Sequence, residues 1–176
     1  MLSLVLDGTR DETLEILVPK GAVEEVRIAA RTKNSEHMRV KVKVRHEGDD
    51  SHSRVELFGA ARDSSKIDFI IELDTPPRLE NITAHQNAHV LLLSDNATAT
   101  TTPRQNVATP GAKTFHGASI TGIPLDKDFF LSCLGLDADD KGRVLEASHL
   151  TRAFAGLPDN MLEPLLKLIY DGAKEE

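Results

Sequence analysis

The sequence contains no tryptophan, one tyrosine and six phenylalanines, so aromatic residues make up only 4% of its 176 positions. Its core must therefore rest on Val, Ile, Leu and Ala. Small and β-branched side chains suit tightly repeated layers better than a core arranged around large rings. A single cysteine, Cys133, excludes an internal disulfide framework. No apolar run approaches the roughly 20 residues of a membrane helix. The opening MLSLVLDG has no basic stretch, and its apolar run breaks at Asp7, so no secretory signal is expected. Positive charge is in deficit, with 21 Lys and Arg against 28 Asp and Glu and a net charge of −7. Nucleic-acid affinity rests on clustered Lys and Arg, so that balance argues against nucleic acid as the main partner. These absences together point to the cytosol, with neither membrane nor nucleic acid as a partner.

What is present up to Ile123 is a succession of short extended segments. LSLVL and LEILV flank the turn-forming cluster from Asp7 to Glu12, and Val26 to Ala30 follows. Residues 39–45 read RVKVKVR, with Val40, Val42 and Val44 on one face and Arg39, Lys41, Lys43 and Arg45 on the other. The basic row reads as a solvated strand face, with an acidic partner's docking site as the alternative. Val55 and Leu57 alternate next, then Ile67, Phe69, Ile71 and Leu73, with Pro76-Pro77 ending that segment. Ile82, Ala84, Gln86, Ala88, Val90 and Leu92 share one face of the following segment. Thr98 to Thr102 and Asn106 to Thr109 give two further pieces separated by Pro103, and Lys113 to Ile123 gives one more. About nine or ten strands of this kind suggest a sandwich, a barrel or a β-solenoid. Asn-Gly hairpin signatures are absent, which weakens the antiparallel options. No exact repeat is visible.

The pattern turns helical after Pro124. Asp126 is a candidate N-cap for a helix over Lys127 to Leu134, with Gly135 as its stop. Residues 137–142 (DADDKG) read as a polar break. A second helix is expected from about Val144 to Ala155, and a third carries the stripe Met161, Leu162, Leu165, Leu166 and Ile169. The final GAKEE is expected to fray.

No constellation argues for catalysis. DADDKGRV has the opening spacing of a calcium loop, but Lys141 and Ser148 stand where two acidic ligands belong, so a polar stretch capping the next helix is expected. His85 and His89 share a strand face, yet four strand residues span about 13 Å, too far for joint chelation. Cys133 in FFLSCLGL reads as a small buried hydrophobe. There is no P-loop, no G-x-G-x-x-G and no G-x-S-x-G around Ser94 or Ser119.

From about Val55 onward the chain resembles the SufB/SufD family, scaffold subunits of the SUF iron–sulfur cluster assembly machinery, and SufD more than SufB. The likeness rests on GAARDSSKIDFIIELDTPPRLENITAHQNAHVLLLSDNATATTTPRQNV, which is similar to the family's core run. It rests also on FHGASITGIPLDKDFFLSCLGL, which is similar to its His-Gly-Ala block and the short helix after it, and on the helix ending in Ala153-Phe154-Ala155. The resemblance implies a right-handed parallel β-helix over residues 1–123 and a small C-terminal helical region over residues 124–176. It implies a non-enzymatic scaffold that pairs with another SufB/SufD-type subunit, as a homo- or heterodimer, and docks a SufC-type ABC ATPase through its C-terminal helices. His116 would be the residue that binds transient iron or the nascent cluster near the subunit interface. Thr114 stands two residues earlier, where the family often carries cysteine. The competing expectations are an interaction module without metal and a β-solenoid enzyme.

Overall fold

The computed structural model describes residues 1–172. Nine strands lead the chain: β1 (Leu2–Asp7), β2 (Arg10–Val18), β3 (Val23–Thr32), β4 (His37–His46), β5 (His52–Ala61), β6 (Lys66–Thr75), β7 (Thr83–Leu92), β8 (Thr98–Val107) and β9 (Lys113–Thr121). No strand pairs with its neighbour in sequence. Odd strands form one sheet in the order β1-β3-β5-β7-β9 and even strands a second, β2-β4-β6-β8. Every pairing is parallel. The sandwich and barrel options therefore fall away, and the chain is a parallel β-solenoid of about four turns.

Inward-facing side chains stack into columns between the two sheets. Ile28, Leu57 and Ala88 stand in one column of the odd sheet, and Val40, Val42 and Val44 lie beside the inward-facing Phe69, Ile71 and Leu73 in register across the even sheet's β4–β6 pair. All of these are buried. Gly59 makes room for the one large ring inside the coils: a Cβ there would lie 3.1 Å from both Ile67 Cδ1 and the Phe69 ring. Pro103 does not divide the eighth strand as expected. β8 runs straight through it, because β8 is the edge of its sheet and a missing N–H there is tolerated.

The repeat is real but uneven. His116 lies over Gln86, Gln86 over Val55, Val55 over Val26 and Val26 over Leu2, giving coils of 30, 31, 29 and 24 residues. One corner is turned by Gly21, Asp50, Asn81 and Gly111, all at positive φ. These residue types tolerate the left-handed region, so the structural repeat is conserved in backbone conformation while the letters change. Asn81 Nδ2 donates to Asp50 Oδ1 at 2.9 Å, tying successive corners together.

The RVKVKVR row is not a free basic patch. Parallel register sets it between acidic rows on both sides: Lys43 pairs with Glu15 (2.7 Å), Lys41 with Glu72 (2.9 Å) and Arg45 with Asp74 (3.8 Å). Arg104 on β8 meets Glu72 from the other side at 3.2 Å.

Three helices follow, α1 (Leu125–Cys133), α2 (Ala138–Leu150) and α3 (Asp159–Gly172), with a 3-10 turn at Thr151–Phe154. α2, the turn and α3 cover the outer face of the odd sheet. Ala147, Leu150, Ala153, Phe154, Leu157 and Ile169 pack on Ala29, Phe58 and Ala60. Burial on both faces is why β3 and β5 read as continuous apolar runs there. Arg27 Nη1 donates to the carbonyls of Ala153 (3.1 Å) and Ala155 (2.9 Å), and Arg31 Nη1 to that of Ile169 (2.8 Å).

Several boundaries differ from expectation. α1 begins at Leu125 with Pro124 as its N-cap, not at Asp126, and no side chain caps it. DADDKG is no break: Asp137 is the N-cap of α2, its side chain accepting from the Asp140 amide at 2.9 Å, and the other five residues are already helical. Cys133 is exposed, not buried, because α1 turns Leu131 rather than its end toward the sheet. Of the GAKEE tail, Gly172 closes α3, and Ala173 onward lies outside the described residues.

Candidate functional site

The last coil ends the stack of columns. Thr101, Pro103 and Gln105 on β8, and Thr114, His116, Ala118 and Ile120 on β9, continue the inward-facing rows, and among the described residues no further strand follows on either sheet. Both strands therefore leave one edge unpaired among the described residues, a ready template for another chain. The side chains of this coil are more polar than the columns beneath, as a wet end requires.

His116 is exposed on that end and stands in register with Gln86. A polar chain runs beneath it. Thr114 Oγ1 donates to Gln105 Oε1 at 3.2 Å, and Gln105 Nε2 donates to Gln86 Oε1 at 3.0 Å. Gln86 is only 1% exposed, and its Nε2 has no partner among the described residues. The Thr114 hydroxyl is thus already engaged within this chain.

The other singled-out histidines lie on the outer face of the same sheet. His85 stacks on Phe115 with ring centroids 4.7 Å apart, and His89 Nδ1 lies 2.7 Å from Ser119 Oγ. Neither joins His116. Among the described residues no three His, Cys, Asp or Glu side chains converge as metal ligands. An iron–sulfur cluster needs about four ligands, so one chain offers at this end a single imidazole and not a full set. No described helix is long and apolar enough to cross a membrane.

Sequence reasoning missed the apolar surface of α1. Leu125 is 86% exposed and Phe129 71%, with Phe130 and Leu134 also outside. On the terminal coil, Phe115, Ile120 and Val107 are exposed as well. Scattered apolar side chains are normal on a surface, but three on one nine-residue helix, with Leu134 at its C-cap, make a concentrated apolar surface. The signal was the pair Phe129-Phe130, two of only six phenylalanines placed side by side.

A family model described as SUF system FeS cluster assembly, SufBD core domain, matches residues 3–146. The chain belongs to this family. A role in SUF iron–sulfur cluster assembly goes with that membership. The SufBD core match starts in β1, well before Val55, where the likeness first becomes visible residue by residue, and it ends within α2. It therefore spans every coil of the solenoid. No curated protein matches the chain.

Proposed function

We propose that this protein is a non-enzymatic scaffold of SUF-type cluster assembly in the cytosol. It pairs through its terminal coil with a second SufB/SufD-type subunit and docks a SufC-type ABC ATPase through its C-terminal helices. The observation that carries this reading is the open last coil, with two unpaired strand edges and His116 exposed at its inner row. A two-fold partner would cover those edges by an isologous contact and bring a second ligand-bearing strand to His116. Iron or the nascent cluster is cargo in this scheme, shared between subunits because one subunit supplies too few ligands. The apolar face of α1 supports docking of the ATPase on the helical region.

Anaerobic co-purification with a SufC-type ATPase, followed by reconstitution with iron and sulfide, tests the proposal. The wild-type chain is expected to retain the ATPase and bind iron. His116→Ala should lose iron while keeping the ATPase, and Phe129→Glu should do the reverse. A wild-type chain that retains no ATPase overturns the scaffold reading. One that retains it but binds no iron, or binds it equally as His116→Ala, leaves an interaction module without metal, the reading favoured by the engaged Thr114 hydroxyl.

A further inference from the structure

On the far side of the sheet from the solenoid interior, β7 and β9 meet α1 and α2 around a cavity of about 370 Å³. Its polar lining is His89, Ser119 and Thr121 from the sheet, and Lys127, Ser148, His149 and Arg152 from the helical region. Each of its ionisable lining groups is basic, and none is a carboxylate. In a chain of net charge −7 that is unusual, and the contrast with the other sheet is plain. There Lys41, Lys43 and Arg45 are each answered by a carboxylate. Lys127 and Arg152 make no ion pair among the described residues. Glu56, the carboxylate that acts on His89, is bound by Arg54 (2.8 Å) and Asn87 (3.0 Å), and Asp128, next to Lys127 in sequence, pairs with Lys141 (2.6 Å).

The basic groups are held in place. The Phe58 ring lies 5.0 Å from the His89 ring, 5.3 Å from the His149 ring and 5.2 Å from the Arg152 guanidinium carbon. His149 Nε2 donates to the His89 carbonyl at 3.2 Å, and His89 Nδ1 is 2.7 Å from Ser119 Oγ. Burial, and then Arg152, His89 and Lys127, push the His149 imidazole down to about 4. Burial and Arg152 lower His89 in the same direction, against a smaller opposing pull from Glu56. Arg152, His89 and Lys127 thus all act on His149, and Glu56, already bound by Arg54 and Asn87, is the carboxylate that reaches His89.

We propose that this cavity binds a small phosphate monoester. Arg152, Lys127 and the Ser119 and Ser148 hydroxyls hold the phosphoryl oxygens, and Leu91 and Leu145 receive the organic part. Three strong acceptor oxygens and a charge near −2 match several convergent donors better than a single carboxylate does. The volume falls in the range of small-molecule sites and exceeds what a bare oxyanion fills. The site lies on the outer face of β9, opposite the inner row that carries His116, and its argument does not rest on the scaffold reading.

Titration of the full chain with phenyl phosphate, followed by amide NMR at constant ionic strength and neutral pH, tests it. Saturable shifts centred on Ser119, Ser148 and Arg152 are expected, with a Kd on the order of 1 mM or tighter. Inorganic phosphate should shift the same signals more weakly; equal affinity would overturn the assignment of an organic part. Lys127→Gln, on an exposed position that bears on no core, should weaken phenyl phosphate about tenfold, as should Arg152→Gln. Lys167→Gln, on α3, should change nothing. Shifts that fail to saturate, that chloride reproduces, or that persist unchanged in Lys127→Gln overturn the proposal.

Discussion

His116 lies in register with Gln86 on the last coil, and the Gln86 side-chain amide beneath it is buried with Nε2 unpartnered among the described residues. An unpaired buried donor costs about 1–3 kcal/mol, so it is retained at a cost in stability. Gln86→Leu removes the orphan and suits the aliphatic column. The isolated chain should become no less stable, and up to about 1 kcal/mol more stable by urea denaturation. Pairing with a second subunit or iron binding at His116 should weaken. A large loss of stability would mean that the hydrogen bond from Gln105 outweighs the orphan.

Arg31 joins the solenoid to its helical cover. It donates to the Ile169 and Leu168 carbonyls, at 2.8 and 3.1 Å, pairs with Asp7, and reaches Glu146 at 3.7 Å. Arg31→Ala should cost about 3 kcal/mol, since it strips partners from a largely buried network. Hydrogen exchange in α3 should accelerate while β4 and β6 stay protected. Uniform acceleration would show that the helices and coils unfold as one unit.

His46 closes a corner without any exposed surface, its two ring nitrogens 2.7 Å from Ser51 Oγ and 2.9 Å from Ser53 Oγ. Burial pushes its pKa down to about 4. The unfolded chain, with an ordinary histidine pKa near 6.5, therefore binds the proton first. Stability is intact above about pH 6.5 and falls as pH drops toward 4, by on the order of 3 kcal/mol for this residue. His46→Gln should flatten that part of the pH–stability curve measured by urea denaturation. An unchanged slope would assign the acid sensitivity to other groups.

Cys133 ends α1 in solvent. A maleimide should label it in the folded chain at nearly the rate seen in denaturant. If α1 docks the ATPase, adding that partner should slow labelling at least several-fold. Unaltered labelling in the complex would move the docking face away from α1.

Much of the solenoid was legible in the strand alternation. Val40, Val42 and Val44 and the row from Ile82 to Leu92 face inward as their period-2 spacing requires. The coil period was not legible, because corners exchange Gly, Asp and Asn and the coil length varies between register partners. His116 could be singled out from its motif. Its polar support could not, since Gln86, Gln105 and Thr114 become neighbours only through the parallel stacking of β7 and β9 and the turn from β8.

Composition and alternation by themselves determined a β-rich core of small aliphatic side chains followed by helices, since burial periodicity is local and survives in the order of residues. Which strands pair, which charges cancel and which basic groups are left facing a cavity were decided only by the tertiary structure. Parallel coiling brings together residues about 30 positions apart, and the same Lys, Arg and His letters then mean an answered ladder on one sheet and an unanswered cluster on the other. His116 keeps its standing for the same reason: its motif drew attention to it, and its position at the uncovered end of the stack gives it something to meet.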